Sequence, residues 1–184
     1  MVLKSARQSL DTVANVAAIV LCLVVCGLLA VQTVDKRRQA RLVLSALPPV
    51  LPLGTVLQSS DDIDYGSREL TVLVGLSPSC KYCTESMPAF RDLERRLRGS
   101  RGQIGLVAVG LRSADTISEY LAANGVTGFR SISVTRQSHL APLVSRTPSV
   151  VIIDRKGMVR ATWPGLITTE RLADIIGEIR RLSS

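Results

Sequence analysis

The 184-residue sequence predicts an α/β fold: a mixed β-sheet flanked by helices, preceded by one N-terminal transmembrane helix. Three observations predict it. A run of 23 residues between Asp11 and Asp35 carries no charge. Beyond it, short apolar runs alternate with segments of helical spacing, in the order β-α-β-α-β-β-α. The last two strands are joined by a turn too short for a crossover, so they form an antiparallel hairpin.

As a helix, the uncharged run spans roughly 35 Å, enough to cross a hydrocarbon core of about 30 Å. A cleaved signal peptide has a shorter apolar stretch and a small-x-small site, so residues 1–34 are expected to form an uncleaved anchor. Cys22 and Cys26 follow Leu21 and Val25, not the small residues a lipid-acylation site favours. Four apart on one helix face, they read as small apolar side chains. Lys4 and Arg7 precede the run, whereas Lys36, Arg37, Arg38 and Arg41 follow it. The positive-inside rule alone would therefore place the C-terminal part in the cytoplasm.

Residues 35–46 form a basic stalk, which breaks at Pro48, Pro49 and Pro52, and residues 47–184 form the domain. "ELTVLVGL" (Glu69 to Leu76) is the continuous apolar run of a strand buried on both faces. In "MPAFRDLERRLRGS", Phe90, Leu93 and Leu97 have helical spacing, and Gly99 is the stop. The pairs Asp92–Arg96 and Glu94–Arg98 at i,i+4 suggest that the outer face of this helix meets solvent. "QIGLVAVGL" (Gln103 to Leu111) is a second buried strand. "SADTISEYLAANG" is a helix with Ser113 as N-cap and Gly125 as stop. "FRSISV" (Phe129 to Val134) fits a third strand and "HLAPLV" a connector. "TPSVVIID", the turn "RKG" and "MVRATWPG" make the hairpin, and a helix capped by Thr168 or Thr169 closes the chain.

The net charge of +8 divides evenly, +4 in residues 1–45 and +4 in the remainder. With aromatics at 3%, nothing gathers basic and stacking residues into a nucleic-acid face. The chemistry lies in "LSPSCKYCTESMP", Leu76 to Pro88. Zinc held structurally requires four ligands, and one C-x-x-C with a single His139 does not supply them within one chain. A structural disulfide closing so short a loop removes little unfolded-state entropy. The reactive reading has a positive mechanism. Cys80 falls at the first turn of the helix, where backbone N–H groups and the helix dipole favour a thiolate, with Lys81 beside it. Cys83, one turn on, can resolve a mixed disulfide formed on Cys80.

"CKYCTESMP" followed by "RTPSVVIIDRKGMVRATWPG" resembles the thioredoxin superfamily. It is most similar to the membrane-anchored redoxin branch: thioredoxin-like proteins of cytochrome c maturation (TlpA and ResA type) and the methylamine-utilisation accessory protein MauD. The resemblance covers about Leu47 to Leu182 and rests on the dithiol, Pro88 five residues after Cys83, and Thr147-Pro148 before the hairpin. It implies that Pro88 kinks the active-site helix, and that Pro148 is cis, faces the dithiol and, with Thr147, binds substrate backbone. "DRKG" matches the family's hairpin turn, and Gly165 the glycine after its last strand. It further implies a bacterial inner-membrane protein, single-pass, with a periplasmic domain, against the flanking charges. Its partners would be cysteine-containing client proteins and a membrane thiol donor, and no cofactor would be needed beyond the Cys80–Cys83 pair.

The chain departs from the pattern in places. Ser79 and Lys81-Tyr82 replace the Trp and Gly-Pro of thioredoxin, and Val74 replaces its buried Asp. Ser86 stands where ResA-type proteins carry an acid, although the adjacent Glu85 offers two readings, proton transfer from Cys83 or a solvent-facing helix residue. Ser77 stands where peroxiredoxins have Thr. A second class of function uses the same residues: a thioredoxin-fold metallochaperone or assembly factor holding copper or a client with Cys80, Cys83 and His139. A third is a tethered scaffold. Trp163 reads as packing.

Overall fold

All six residues of the first apolar run, Leu70–Gly75, are buried in strand β1, as a strand covered on both faces requires. A computed structural model of the chain describes residues 50–59, 63–100 and 103–183. The expected anchor, the stalk and Cys22 and Cys26 lie outside the described residues. No helix among the described residues is long and apolar enough to cross a membrane.

Strands β2 (Ile104–Gly110), β3 (Arg130–Ser133), β4 (Ser149–Asp154) and β5 (Val159–Pro164) complete one sheet of order β3-β2-β1-β4-β5. β1, β2 and β3 are parallel, whereas β4 runs antiparallel to β1 and β5 antiparallel to β4. The helices are α1 (Lys81–Leu97), α2 (Ala114–Ala123), α3 (Ala141–Ser145) and α4 (Thr169–Leu182). The connector "HLAPLV" therefore contains a short helix, begun by Pro142, whose fixed φ suits a first turn. Five residues are too few to display a helical period in sequence. Ser113 caps α2 by accepting the Thr116 amide, and Thr168, rather than Thr169, caps α4.

Alternation along β1 divides the core. Leu70, Val72 and Val74 meet Phe90 and Leu93 of α1 and Ile175, Ile176 and Ile179 of α4. Leu73 faces the other way, among Val109, Val151, Leu140, Leu143, Leu57, Ile63 and Tyr65. That second face is covered by the short α3 and by chain outside any helix or strand at residues 50–59 and 63–65. Leu53 and Val56 are exposed there, whereas Val50, Leu51, Leu57, Ile63 and Tyr65 are buried. Each such Leu, Ile or Val contributes roughly 1.5–3 kcal/mol through burial.

The outer face of α1 differs from expectation. Asp92 pairs with Arg96 at 2.9 Å in solvent, but Glu94 is buried at 4% exposure. Its Oε2 accepts the Thr127 amide at 2.9 Å while Arg98 stands 4.0 Å from Oε1, so this carboxylate fastens the α2–β3 loop to α1. A buried carboxylate is stabilised by such direct hydrogen bonds and a nearby cation.

Candidate active site

β1 and the antiparallel β4 place three things at one end of the sheet. Gly75 ends β1 opposite Ser149, which starts β4, so the β1–α1 loop with the cysteines meets the turn before β4. Gly75 lets them meet. A Cβ there would stand 2.2 Å from the Leu143 carbonyl oxygen of α3, a carbonyl that also accepts the Ser149 hydroxyl at 2.8 Å. The Thr147–Pro148 peptide bond is cis. The Thr147 carbonyl accepts from the Cys80 thiol at 3.3 Å.

Cys80 is the N-cap of α1. Its Sγ accepts the Cys83 amide at 3.3 Å, the role a serine or aspartate usually takes, so an N–H of the helix start is shared between sulfur and the Cys80 carbonyl, 3.0 Å away. Partial burial alone raises the Cys80 thiol. Hydrogen bonds from the Thr147 side chain, from Cys83 and from the backbone of Cys83 and Tyr82 outweigh it, and the thiol lies below its ordinary value. The Thr147 carbonyl contributes nothing to that lowering, since it can accept only while the proton is on sulfur.

Cys83 is the opposite case. It is completely buried, and that burial, reinforced by the hydrogen bond and charge of Cys80, pushes its thiol up to about 12. The Ser77 amide, 3.5 Å from its Sγ, is the main influence in the other direction, but burial prevails. Both thiols are free. One helix turn thus holds a half-exposed, ionisable sulfur and a shielded, protonated one, which suits a nucleophile followed by a resolving thiol.

The supporting residues are distributed differently. Lys81 is 83% exposed in its side chain and pairs with Glu85 at 3.7 Å, so its charge is directed along the helix surface, and it is not among the groups that lower Cys80. Glu85 takes the solvent-facing reading, away from Cys83. Pro88 lies inside α1 on its exposed side, where water can reach the carbonyl left without an N–H partner. Trp163 is half-buried against the first core, and His139 is exposed on the segment before α3. A cleft of about 310 Å³ between Asp64, Arg68 and Arg130 lies at the other end of the sheet, away from the dithiol.

Sequence reasoning left several neighbours out. Ser86 is completely buried: it donates to the Tyr82 carbonyl at 2.7 Å and accepts the Ile167 amide at 3.0 Å. The hydroxyl of Tyr120 in α2 lies 3.0 Å from that of Thr84. Arg171 of α4 donates to the carbonyls of Pro164, at 2.6 Å, and Leu166, at 3.1 Å. Only the position of Ser86, three after Cys83, carried a signal.

No family model matches the chain, and no curated protein matches it. Solved structures do. A yeast mitochondrial 1-Cys peroxiredoxin is 16% identical over 72% of this chain and 78% of its own, with a TM-score of 0.56. The thioredoxin domain of the Bacteroides vulgatus thiol-disulfide oxidoreductase BVU-2223 is 12% identical over 70% and 98%, with a TM-score of 0.52. A candidate thiol:disulfide interchange protein DsbE from Chlorobium tepidum is 18% identical over 66% and 83%, with a TM-score of 0.50. The domain has the thioredoxin-like fold, a mixed sheet flanked by helices.

Proposed function

We propose that this thioredoxin-fold chain is a membrane-anchored thiol-disulfide oxidoreductase that exchanges disulfides with protein clients. The observation that carries the reading is the asymmetry of the pair: Cys80 half-exposed and lowered, Cys83 buried and pushed up to about 12. The Cys80 thiolate attacks one sulfur of a client disulfide. The S–S bond breaks, one client sulfur leaves as thiolate and takes a proton from solvent, and the other is held in a mixed disulfide. Cys83 then gives up its proton and attacks Cys80 Sγ, expelling the second client sulfur. Two electrons pass to the client, and Cys80–Cys83 is left as a disulfide. No bound cofactor takes part.

The cis Thr147–Pro148 corner docks client backbone beside Cys80, supported by the 3.3 Å approach of the Thr147 carbonyl. The anchor in residues 1–34 tethers the domain to the bacterial inner membrane on its periplasmic side, and a membrane thiol donor returns electrons to the pair. Clients are cysteine proteins of cytochrome c or methylamine dehydrogenase-type maturation. A reporter fused after Gly54 tests the orientation: activity confined to the cytoplasm would overturn it.

The exchange itself is tested by Cys83→Ser, with Cys22 and Cys26 also changed to serine, produced in the native host. Removing the resolving thiol should freeze the mixed disulfide, giving reductant-sensitive adducts on a non-reducing gel that are absent from Cys80→Ser. Abundant folded protein without adducts, binding copper in proportion to chain, would transfer the dithiol to the metallochaperone reading.

A further inference from the structure

The loop after β5 ties both halves of the dithiol site together. The Gly165 amide donates to the Pro148 carbonyl at 2.7 Å, reaching the cis-proline corner. Two residues on, the Ile167 amide donates to Ser86, whose hydroxyl donates to the carbonyl of Tyr82, the residue between the cysteines. Cys80 closes the circuit by donating to the carbonyl of Thr147. The path from Cys80 through Thr147-Pro148, Gly165 to Ile167, Ser86 and Tyr82 back to Cys80 is an unbroken ring of covalent and hydrogen bonds. It joins residues as far apart as 81 positions.

Gly165 has φ of +82°, a left-handed conformation that glycine adopts without steric cost, and it makes the sharp bend between Pro164 and Leu166. Arg171 holds that bend. From the first turn of α4 one guanidinium nitrogen donates to two carbonyls that bracket Gly165, those of Pro164 and Leu166. The side chain is half-buried, and burial is the main influence on its charge, with Asp174 the countercharge on its own helix. A cation drawn partly out of water onto two neutral carbonyls is there for their geometry.

We infer that Arg171 is a positioning residue for the dithiol: by gripping Pro164 and Leu166 it fixes the loop whose amides hold Pro148 and Ser86, and so sets the reactivity of Cys80. The inference deepens the exchange reading, from which it takes the nucleophile, but its readout needs no client.

The test is the pH profile of Cys80 alkylation by iodoacetamide on the reduced full chain in detergent, for the parent, Arg171→Met and Arg171→Lys. Asp154→Ala, which loosens the hairpin turn at the far end of the sheet, is the control for lost stability. Loosening the loop frees Ser86 and with it the Tyr82 backbone, one of the groups that lower Cys80. The Cys80 midpoint should therefore rise and alkylation slow about 3–10-fold at pH 7, as half a unit to one unit of midpoint corresponds to in thiolate population. Arg171→Lys, which keeps the cation but lacks the planar fork, should fall between. If Arg171→Met does not fold, the Lys variant still decides, because a Lys profile superimposed on the parent's overturns the inference. So does an equal shift in Asp154→Ala. A protein that traps no client while its Cys80 profile follows Arg171 would sink the exchange reading and leave this one standing.

Discussion

The side chains at the two ends of the sheet make different kinds of bond. At the hairpin end, the Asp154 carboxylate accepts the amides of Lys156 and Met158 and meets Arg160, all within six residues of chain. At the dithiol end, Cys80 reaches Thr147 across 67 positions and Ser86 reaches Ile167 across 81. The Asp154 side chain completes its hydrogen bonds within its own turn, at the edge of solvent. The backbone of that turn pairs with residues 54–57, the Leu57 amide donating to the Gly157 carbonyl at 2.8 Å. The dithiol end leaves its bonds to be completed by whatever the fold brings near. A reactive sulfur fits such a place, because its surroundings can be adjusted from four separate segments.

Changes at the two ends should therefore separate activity from stability. Cys80→Ser should lower disulfide exchange, followed by insulin reduction, by more than about 100-fold, whereas Asp154→Ala should leave it within twofold. A large activity loss in Asp154→Ala would erase the distinction. Gly75→Ala drives a Cβ onto a backbone oxygen and should destabilise the domain by about 2–3 kcal/mol in urea titrations. Ser86→Ala leaves the Ile167 amide buried without its acceptor, at a cost of about 1–3 kcal/mol, where Asp154→Ala, more exposed, should cost about 1 kcal/mol.

The pH dependence follows from the direction of each shift. Cys83 and Tyr65 are both pushed up to about 12, chiefly by burial, so the folded state keeps their protons longer than the unfolded chain does. Their stabilising contribution is complete below their unfolded values and is lost as pH rises from about 9 towards 12. Cys83→Ala should flatten that alkaline loss of stability, measured by urea midpoints at successive pH values. Cys80, lowered, works in the opposite direction. The smallest effect belongs to Lys81→Ala, which should change stability by no more than about 0.5 kcal/mol and leave Cys80 alkylation unmoved. A clear shift would return Lys81 to the group that tunes the nucleophile.

The division between local and distant bonds also marks what the sequence made legible. The C-x-x-C spacing, the Ser113 cap and the "DRKG" turn are read from adjacent residues, and each stands where its local chemistry places it. The cis Thr147–Pro148 bond came through resemblance, since a lone proline suggests only a turn. Glu94 was misplaced because an i,i+4 pair with Arg98 looks the same on a solvent face as on one that another loop will cover. Tyr120 and Arg171 were invisible as site neighbours for a related reason: the Thr84 hydroxyl and the Pro164 and Leu166 carbonyls they meet are brought to them by the fold. Ser86 showed its position but not its bond to the Ile167 amide. Val50, Leu51, Leu57, Ile63 and Tyr65 cover a sheet face without any period to betray them.

The burial of Cys83 has one more consequence, for wear rather than turnover. Peroxide converts accessible thiolates first to sulfenic acid and then, irreversibly, to sulfinic and sulfonic acids. With one sulfur of the pair shielded and protonated, that damage falls on its partner, Cys80. Cys83 stays intact at its side, close enough to capture a sulfenic acid as a disulfide before a second oxidant arrives, so that the reduction that completes a normal cycle also repairs the injury.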